Sequence, residues 1–338
     1  MNSTNRFVML LFLNVFFLIV FFSLSMILEN NTSPLSVISE MINGTAPAYR
    51  YEVIQDLKIP RGLTAILAGG MLGLAGAMIQ SLSRNPLAEP GLIGVTAGGV
   101  CAAVLWITFG PAHLQLSFFL PFFACFGGIL AAFFVYVLSS YTKKMSSVFL
   151  LNGILISAVL QAVTSFILLR HQEALGSILL WTIGSLNGRV WTHLNLLWPI
   201  AVPALIAGLL TAGIANAWRL GTESAVLLGL SLKKTNALLF FISALLTAGA
   251  VSIVGAIGFI GLIGPHIAKR IVGEDARKSF PISMLLSSLL LLTADLIAQY
   301  IFSFLPFSFI SQNIQLPAGA VTVIMGVPFF LYLLRKQT

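Results

Sequence analysis

The sequence predicts an all-α integral membrane protein of about ten transmembrane helices with both termini on the cytoplasmic side. Three observations carry that prediction. Hydrophobic residues make up 58% of the 338-residue chain and charged residues 8%, against roughly 45–50% and about 25% in a soluble domain, and the mean hydropathy is +1.00. The apolar runs are long and do not alternate with polar residues, as spanning helices require and barrel strands do not. Lys and Arg gather in alternate connections between those runs, which is the bias of cytoplasmic loops. The net charge of +8 therefore reports orientation rather than affinity for nucleic acid. Cys101 and Cys125 both fall inside apolar runs, so they outline neither a disulfide framework nor a metal site.

Residues 7–28 form the first apolar run, behind Arg6. It exceeds the core of a signal peptide, about 7–15 residues, and no small-residue cleavage site follows closely, so it is a span. Residues 29–61 are polar and contain Pro34, Pro47 and Pro60, which predicts an external loop with one short helix over residues 35–42. Spans two and three are expected over 63–82 and 92–109. Gly69, Gly73 and Ala77, then Gly94, Gly98 and Ala102, recur at helical spacing and allow close helix packing.

Spans four and five cover 116–138 and 147–169, joined by a basic turn at Lys143-Lys144; spans six and seven cover 194–217 and 235–254. Glycine at every third position from Gly255 to Gly264 weakens a helix, so the eighth span should be short or broken. Spans nine and ten cover 281–304 and 316–334. The whole chain, 1–338, reads as a single transmembrane domain. With this topology Arg84, Lys143, Lys144, Arg219, Lys233, Lys234, Lys269, Arg270, Arg277 and Lys278 lie inside, together with basic residues at both termini. Arg50, Lys58, Arg61, Arg170 and Arg189 lie outside. Removing one span would throw basic connections onto the outer face, against the positive-inside rule.

The segment 216–234 interrupts this pattern with charge, hydroxyls and turn glycines. Gly221-Thr222-Glu223-Ser224 offers N-cap chemistry and an acidic first turn. Ala225 to Leu228 is a short apolar turn, and Gly229 can end it in the left-handed conformation. A second short element then begins at Leu230 and carries Lys233 and Lys234. The result is a compact cytoplasmic knob with Leu227 and Leu228 as apolar anchors and Glu223 as a polar contact. Elsewhere, Leu74-Ala75-Gly76-Ala77-Met78-Ile79 in span two is similar to Thr247-Ala248-Gly249-Ala250-Val251-Ser252 in span seven. Those spans run in opposite senses, so the likeness suggests the inverted repeat common among transporters.

Three motifs carry a family resemblance. Asn85-Pro86-Leu87-Ala88-Glu89-Pro90-Gly91 with Gly94, Gly258-Phe259-Ile260-Gly261 through Pro265-His266, and the pair Leu316-Pro317-Ala318-Gly319 and Gly326-Val327-Pro328-Phe329 resemble signatures of the permease subunits of iron–siderophore and cobalamin ATP-binding-cassette importers. The 216–234 segment is similar to that family's coupling segment. The resemblance runs from Lys58 to Lys336. It implies an inverted-repeat importer permease in a bacterial plasma membrane, paired with a second permease copy or paralogue. It further implies two cytoplasmic ATPases that use ATP and Mg, an extracytoplasmic binding protein and an iron-chelate substrate, with cobalamin or haem as the alternative cargo. No cofactor or metal is implied in this chain, and none of it contains the Gly-x-x-x-x-Gly-Lys-Ser/Thr loop needed to bind ATP.

Residue by residue, the resemblance makes Gly221, Thr222, Glu223, Ala225, Leu227, Leu228 and Gly229 the ATPase contact. It makes Lys58 and Arg61, three apart at an outer span end, docking points for carboxylates of the binding protein; the same side chains could simply anchor a span edge. Gln299 stands where cobalamin-type relatives carry arginine, and Arg189 is the compensating candidate. Ser146 and Ser147 match inner-gate positions, while Asn152, Gln80 and Gln161 are polar candidates for the path. Asn85, Pro86, Glu89, Pro90, Gly91, Gly258, Gly261, Pro265 and His266 are structural, at helix breaks and close contacts. Asp295 is an acid deep in span nine, where function is the default expectation, although a bond to a neighbouring helix end would also satisfy it. An ion-driven secondary transporter would leave the knob unexplained, and a membrane enzyme would need a convergence of acids, histidines or a nucleophile that the scattered acids do not provide.

Overall fold

A computed structural model describes residues 3–28, 34–43, 45, 47–111, 119–140, 145–171, 178, 181–304 and 315–337. Regular structure among the described residues is helical throughout. Helix α1 (Ser3–Ile27) is the first span, and α2 (Pro34–Ile42) is the short external helix. α3 (Ala48–Glu52) runs through a π-helical turn (Val53–Lys58) directly into α4 (Ile59–Ser83). The expectation of a loop up to Arg61 is therefore corrected. Pro60 falls just after the π-helical turn and the helix continues through it, so it does not stop the chain from arriving as helix.

A 3-10 turn (Pro90–Ile93) and a left-handed Gly94 precede α5 (Val95–Phe109), so the third span begins later than the apolar pattern implies. α6 (Phe119–Ser140) and α7 (Met145–Arg170) follow. The sixth span also divides. α8 (Trp191–Leu210) stops at Thr211, whose hydroxyl bonds back to the Gly208 carbonyl at 2.6 Å, and a separate α9 (Ala212–Arg219) leads to the knob helix α10 (Thr222–Leu227). α11 (Leu232–Val254) is followed by an extended stretch and then α12 (Ile260–Val272), α13 (Ala276–Phe304) and α14 (Ala318–Gln337). Among the described residues, seven helical segments, one of them Ala48–Ser83, are long and apolar enough to cross a membrane, and α5 and α14 are shorter apolar helices. The eighth span is broken as expected: helix resumes only at Ile260, with Gly261, Gly264 and Pro265 inside it.

α4 is the centre of the bundle. It packs on α8, α11, α12 and α13 and is buried from Ala68 to Leu82. Small residues make this possible. A methyl group on Gly69 would lie 2.6 Å from the Ser287 carbonyl oxygen, and one on Gly73 2.3 Å from the Ser287 hydroxyl, so α4 and α13 approach almost backbone to backbone. α11 lies on α4 as well, with Gly249 against the Met71 methyl.

Candidate functional site: a broken helix pair, an outer mouth and an exposed knob

The helix break is assembled from two loops. Arg84, with φ 52°, ends α4. Asn85 then folds the turn: its Oδ1 accepts the Leu87 amide at 2.9 Å and its carbonyl accepts the Ala88 amide at 3.2 Å. Pro86 stays exposed at the tip. This sets Glu89 beside the start of α12, where its Oε1 accepts the Phe259 amide at 2.5 Å. A carboxylate on a helix-opening amide satisfies an orphan donor and suits the helix dipole. Phe259 itself has φ 65°, a strained conformation for an aromatic residue. Pro90 rests on Gly261, where a methyl group would meet the proline ring at 2.6 Å. His266, further along α12, has its ring edge-to-face with Phe329 at 5.9 Å and its Nε2 buried without a hydrogen-bond partner among the described residues.

A cavity of 480 Å³ opens beside this break, with Glu89, Gly91, Thr96, Ser157, Gln161 and Thr164 among its walls and Gly258 at its edge. Of the expected path residues it contains Gln161. Gln80 lies away from this cavity, buried in α4, where its Oε1 accepts Lys269 Nζ at 2.8 Å. Asn152 donates to Ser139 Oγ at 3.0 Å and ties α7 to α6. The side chains of Ser146 and Ser147 lie outside the described residues. Ser157, Thr164 and Ser165 were missed from the sequence, yet they sit at helical spacing around Gln161 and share its face of α7.

At the far end of α4 lies a 300 Å³ cavity bordered by Lys58, Arg61, Arg189, Gln299, Tyr300 and Gln315. Lys58 Nζ donates to the Met26 and Leu28 carbonyls at 3.0 and 2.7 Å, closing the C-terminal end of α1. Arg61 grips Asp295 with two bonds of 2.9 Å, from Nε and Nη2, and reaches Gln315 with Nη1 at 3.2 Å. Gln299 donates to the same carboxylate at 2.8 Å. Asp295 thus neutralises Arg61 in the first turn of the neighbouring α4, so the Arg61 guanidinium is already engaged within the chain. Arg189, in the loop before α8, has a buried Nε without a partner among the described residues. Burial and the neighbouring Arg61 charge push its guanidinium down to about 10.

The knob is the third feature. Gly221, with φ 114°, is the N-cap of α10, so the cap is a glycine conformation and not side-chain chemistry. Glu223 is exposed in the first turn, while the Thr222 side chain lies outside the described residues. Ala225 is buried, whereas Val226, Leu227 and Leu228 are exposed, Leu227 to 88%. Gly229, φ 80°, turns the chain back so that the Leu230 amide reaches the Ala225 carbonyl at 3.0 Å. The second short element is corrected: past Ser231 the chain is already α11.

Membrane-length helices broken within the bundle, beside a cavity with polar side chains in its wall, are an architecture common among transporters. The model of the FecCD transport family matches residues 15–336, and the chain belongs to that family. It is 36% identical to the ferric enterobactin transport system permease protein of Escherichia coli (strain K12), over 95% of this chain and 93% of that one. It is 33% identical to the Fe(3+)-citrate import system permease protein of Bacillus subtilis (strain 168), covering 90% and 88%. To the cobalamin import system permease protein of Halobacterium salinarum it is again 33% identical, covering 84% and 74%. Among solved structures, a metal-chelate type ABC transporter in an inward-facing conformation superposes with a TM-score of 0.80 at 26% identity, over 96% of this chain and 98% of that one. The chain is therefore a membrane-embedded transport subunit of the ATP-binding-cassette importer class, not an enzyme.

Proposed function

We propose that the chain imports a ferric chelate, delivered by an extracytoplasmic binding protein, as one half of a permease dimer driven by two separate ATPases that use ATP and Mg. Both termini and the knob face the cytoplasm in this reading. The single observation that carries it is the knob, where three consecutive apolar side chains stand exposed beside Glu223. Such a patch on a rigid turn fits a partner protein better than it fits water. The iron-chelate assignment rests on the names of relatives that take enterobactin and citrate complexes. Titration of the cognate binding protein with ferric catecholate, hydroxamate and citrate complexes and with cobalamin tests it, and exclusive cobalamin binding would transfer the chain to the other cargo.

Gly229→Pro should leave the protein in the membrane but remove ATPase co-purification and uptake, because φ 80° is closed to proline. Lys234→Cys in the same preparation should be labelled from the cytoplasmic side alone; the native cysteines are buried and give little background. Retained ATPase and retained uptake would exclude the knob as the coupling contact, and labelling from outside would invert the topology.

The binding protein docks at the outer mouth, which Lys58, Arg61 and Arg189 border. With Lys58 on carbonyls and Arg61 on Asp295, Arg189 is the cation left to meet a carboxylate of the binding protein. Arg189→Glu should slow association at low salt and gain as salt rises, while the native protein weakens, since charges are screened over about 8 Å at physiological ionic strength. Equal rates and equal salt slopes would remove Arg189 from the docking surface.

A further inference from the structure

α9 is wedged between the knob and the turn that joins α12 to α13, and two of its side chains reach that turn. Asn216 Nδ2 donates to Asp275 Oδ1 at 2.6 Å, and Asn216 Oδ1 accepts the Ala276 amide at 2.7 Å. Asp275 in turn accepts the Arg277 amide at 3.0 Å with the same carboxylate, and its carbonyl takes the amides of Lys278 and Ser279. Asn216 therefore completes the N-terminal cap of α13 from a different helix. One turn further along α9, Arg219 forms an ion pair with the Glu274 carboxylate and donates to the Glu274 carbonyl. The Asn216 amide, helped by the Arg277 amide, holds the Asp275 carboxyl below its ordinary value despite the opposing effect of desolvation.

What lies beyond the turn gives this clasp its consequence. α12 ends at Val272, beside the turn, and begins next to Phe259, whose amide is held by Glu89 at the wall of the 480 Å³ cavity. Between those ends α12 is short and tightly packed: Gly261 lies against the backbone of Gly76, Gly264 against Ser287, and Lys269 is tied to Gln80. A packed helix of this length moves as a body. Displacement of α10 reaches α9 through Leu220 and Gly221, and α9 cannot shift without carrying the turn or breaking its bonds to the Ala276 amide, Asp275 and Glu274.

We propose that Asn216 and Arg219 are positioning residues for coupling: they transmit motion of the ATPase-facing knob through the 273–276 turn and α12 to the Glu89–Phe259 contact that walls the path. The proposal rests on the knob being the ATPase contact, and the experiment separates the two. The full complex of permease, ATPase and binding protein is placed in proteoliposomes, and substrate taken up per ATP hydrolysed is measured together with ATPase co-purification. Asn216→Ala with Arg219→Ala should retain the ATPase and its hydrolysis but lower the uptake ratio by at least about fivefold, the lower range of allosteric couplings. Leu227→Asp should lose the ATPase altogether.

If the double variant fails to accumulate, Asn216→Asp sets two carboxylates together at constant volume and should uncouple. Adding Asp275→Asn should restore the ratio, because amide and carboxylate have exchanged places; a merely structural role gives no reason for such rescue of stoichiometry. A native ratio in Asn216→Ala with Arg219→Ala, or failure of the exchange to rescue Asn216→Asp, overturns the transmission role alone. ATPase retained by Leu227→Asp overturns the knob as contact and the transmission role with it.

Discussion

Gly76→Ala is expected to abolish accumulation of folded permease, although it adds a single methyl group. That methyl would lie 1.8 Å from the Gly261 carbonyl oxygen and within 3 Å of two further Gly261 backbone atoms. Neither α4 nor α12 can relieve the overlap by changing a rotamer, so one helix must move away. Overpacking costs about 1–3 kcal/mol where side chains can adjust and more where backbone must shift. Gly70→Ala is the control: its nearest neighbours are the Ser288 hydroxyl at 3.0 Å and the Met284 side chain at 3.2 Å, and small shifts accommodate it. The comparison is made by yield and thermal stability in detergent. Equal stability of the two variants would show that α4 and α12 do not cross as closely as this packing requires.

Arg61→Met should be nearly as damaging, for an electrostatic reason. The Arg61 and Asp295 side chains are 13% and 3% exposed, and removing the guanidinium leaves a buried carboxylate with the Gln299 amide as its remaining partner among the described residues. Breaking one partner of a buried pair costs about 3–5 kcal/mol, whereas replacing both by apolar groups of similar volume is often close to neutral. Arg61→Met with Asp295→Leu should therefore recover most of the lost stability. Arg61→Lys should recover less, since an ammonium cannot reproduce the two-pronged contact. Failure of the double replacement to exceed Arg61→Met in melting temperature would mean that the pair is not closed in the folded protein.

The parts of this fold legible in the sequence are those written in local spacing. Gly69, Gly73 and Ala77 at helical intervals announced the close α4 packing, the run of glycines after Gly255 announced the broken span, and Gly229 announced the left-handed close of the knob. What escaped depends on partners distant in the chain. Arg61 and Asp295 are separated by more than half the sequence, so nothing local told an engaged arginine from an available one. Gln80 reads as a polar residue in a span whether it faces a path or a lysine. The helical approach from Ala48 was hidden because prolines were read as breaks, although the helix continues through Pro60. The split between α8 and α9 was hidden for the opposite reason, since the apolar pattern continues through Thr211.

α12 carries an implication for biogenesis. Its 13 residues extend about 20 Å at 1.5 Å per residue, well short of the roughly 30 Å of hydrocarbon. With two glycines and a proline in that length, α12 is a poor stop signal for the insertion machinery. It gains its place only by lying on Gly76 of α4, which is synthesised and inserted first, and against α13, which emerges directly after it. What holds α12 in the bilayer is therefore its packing on α4 and α13 and not its own apolar length.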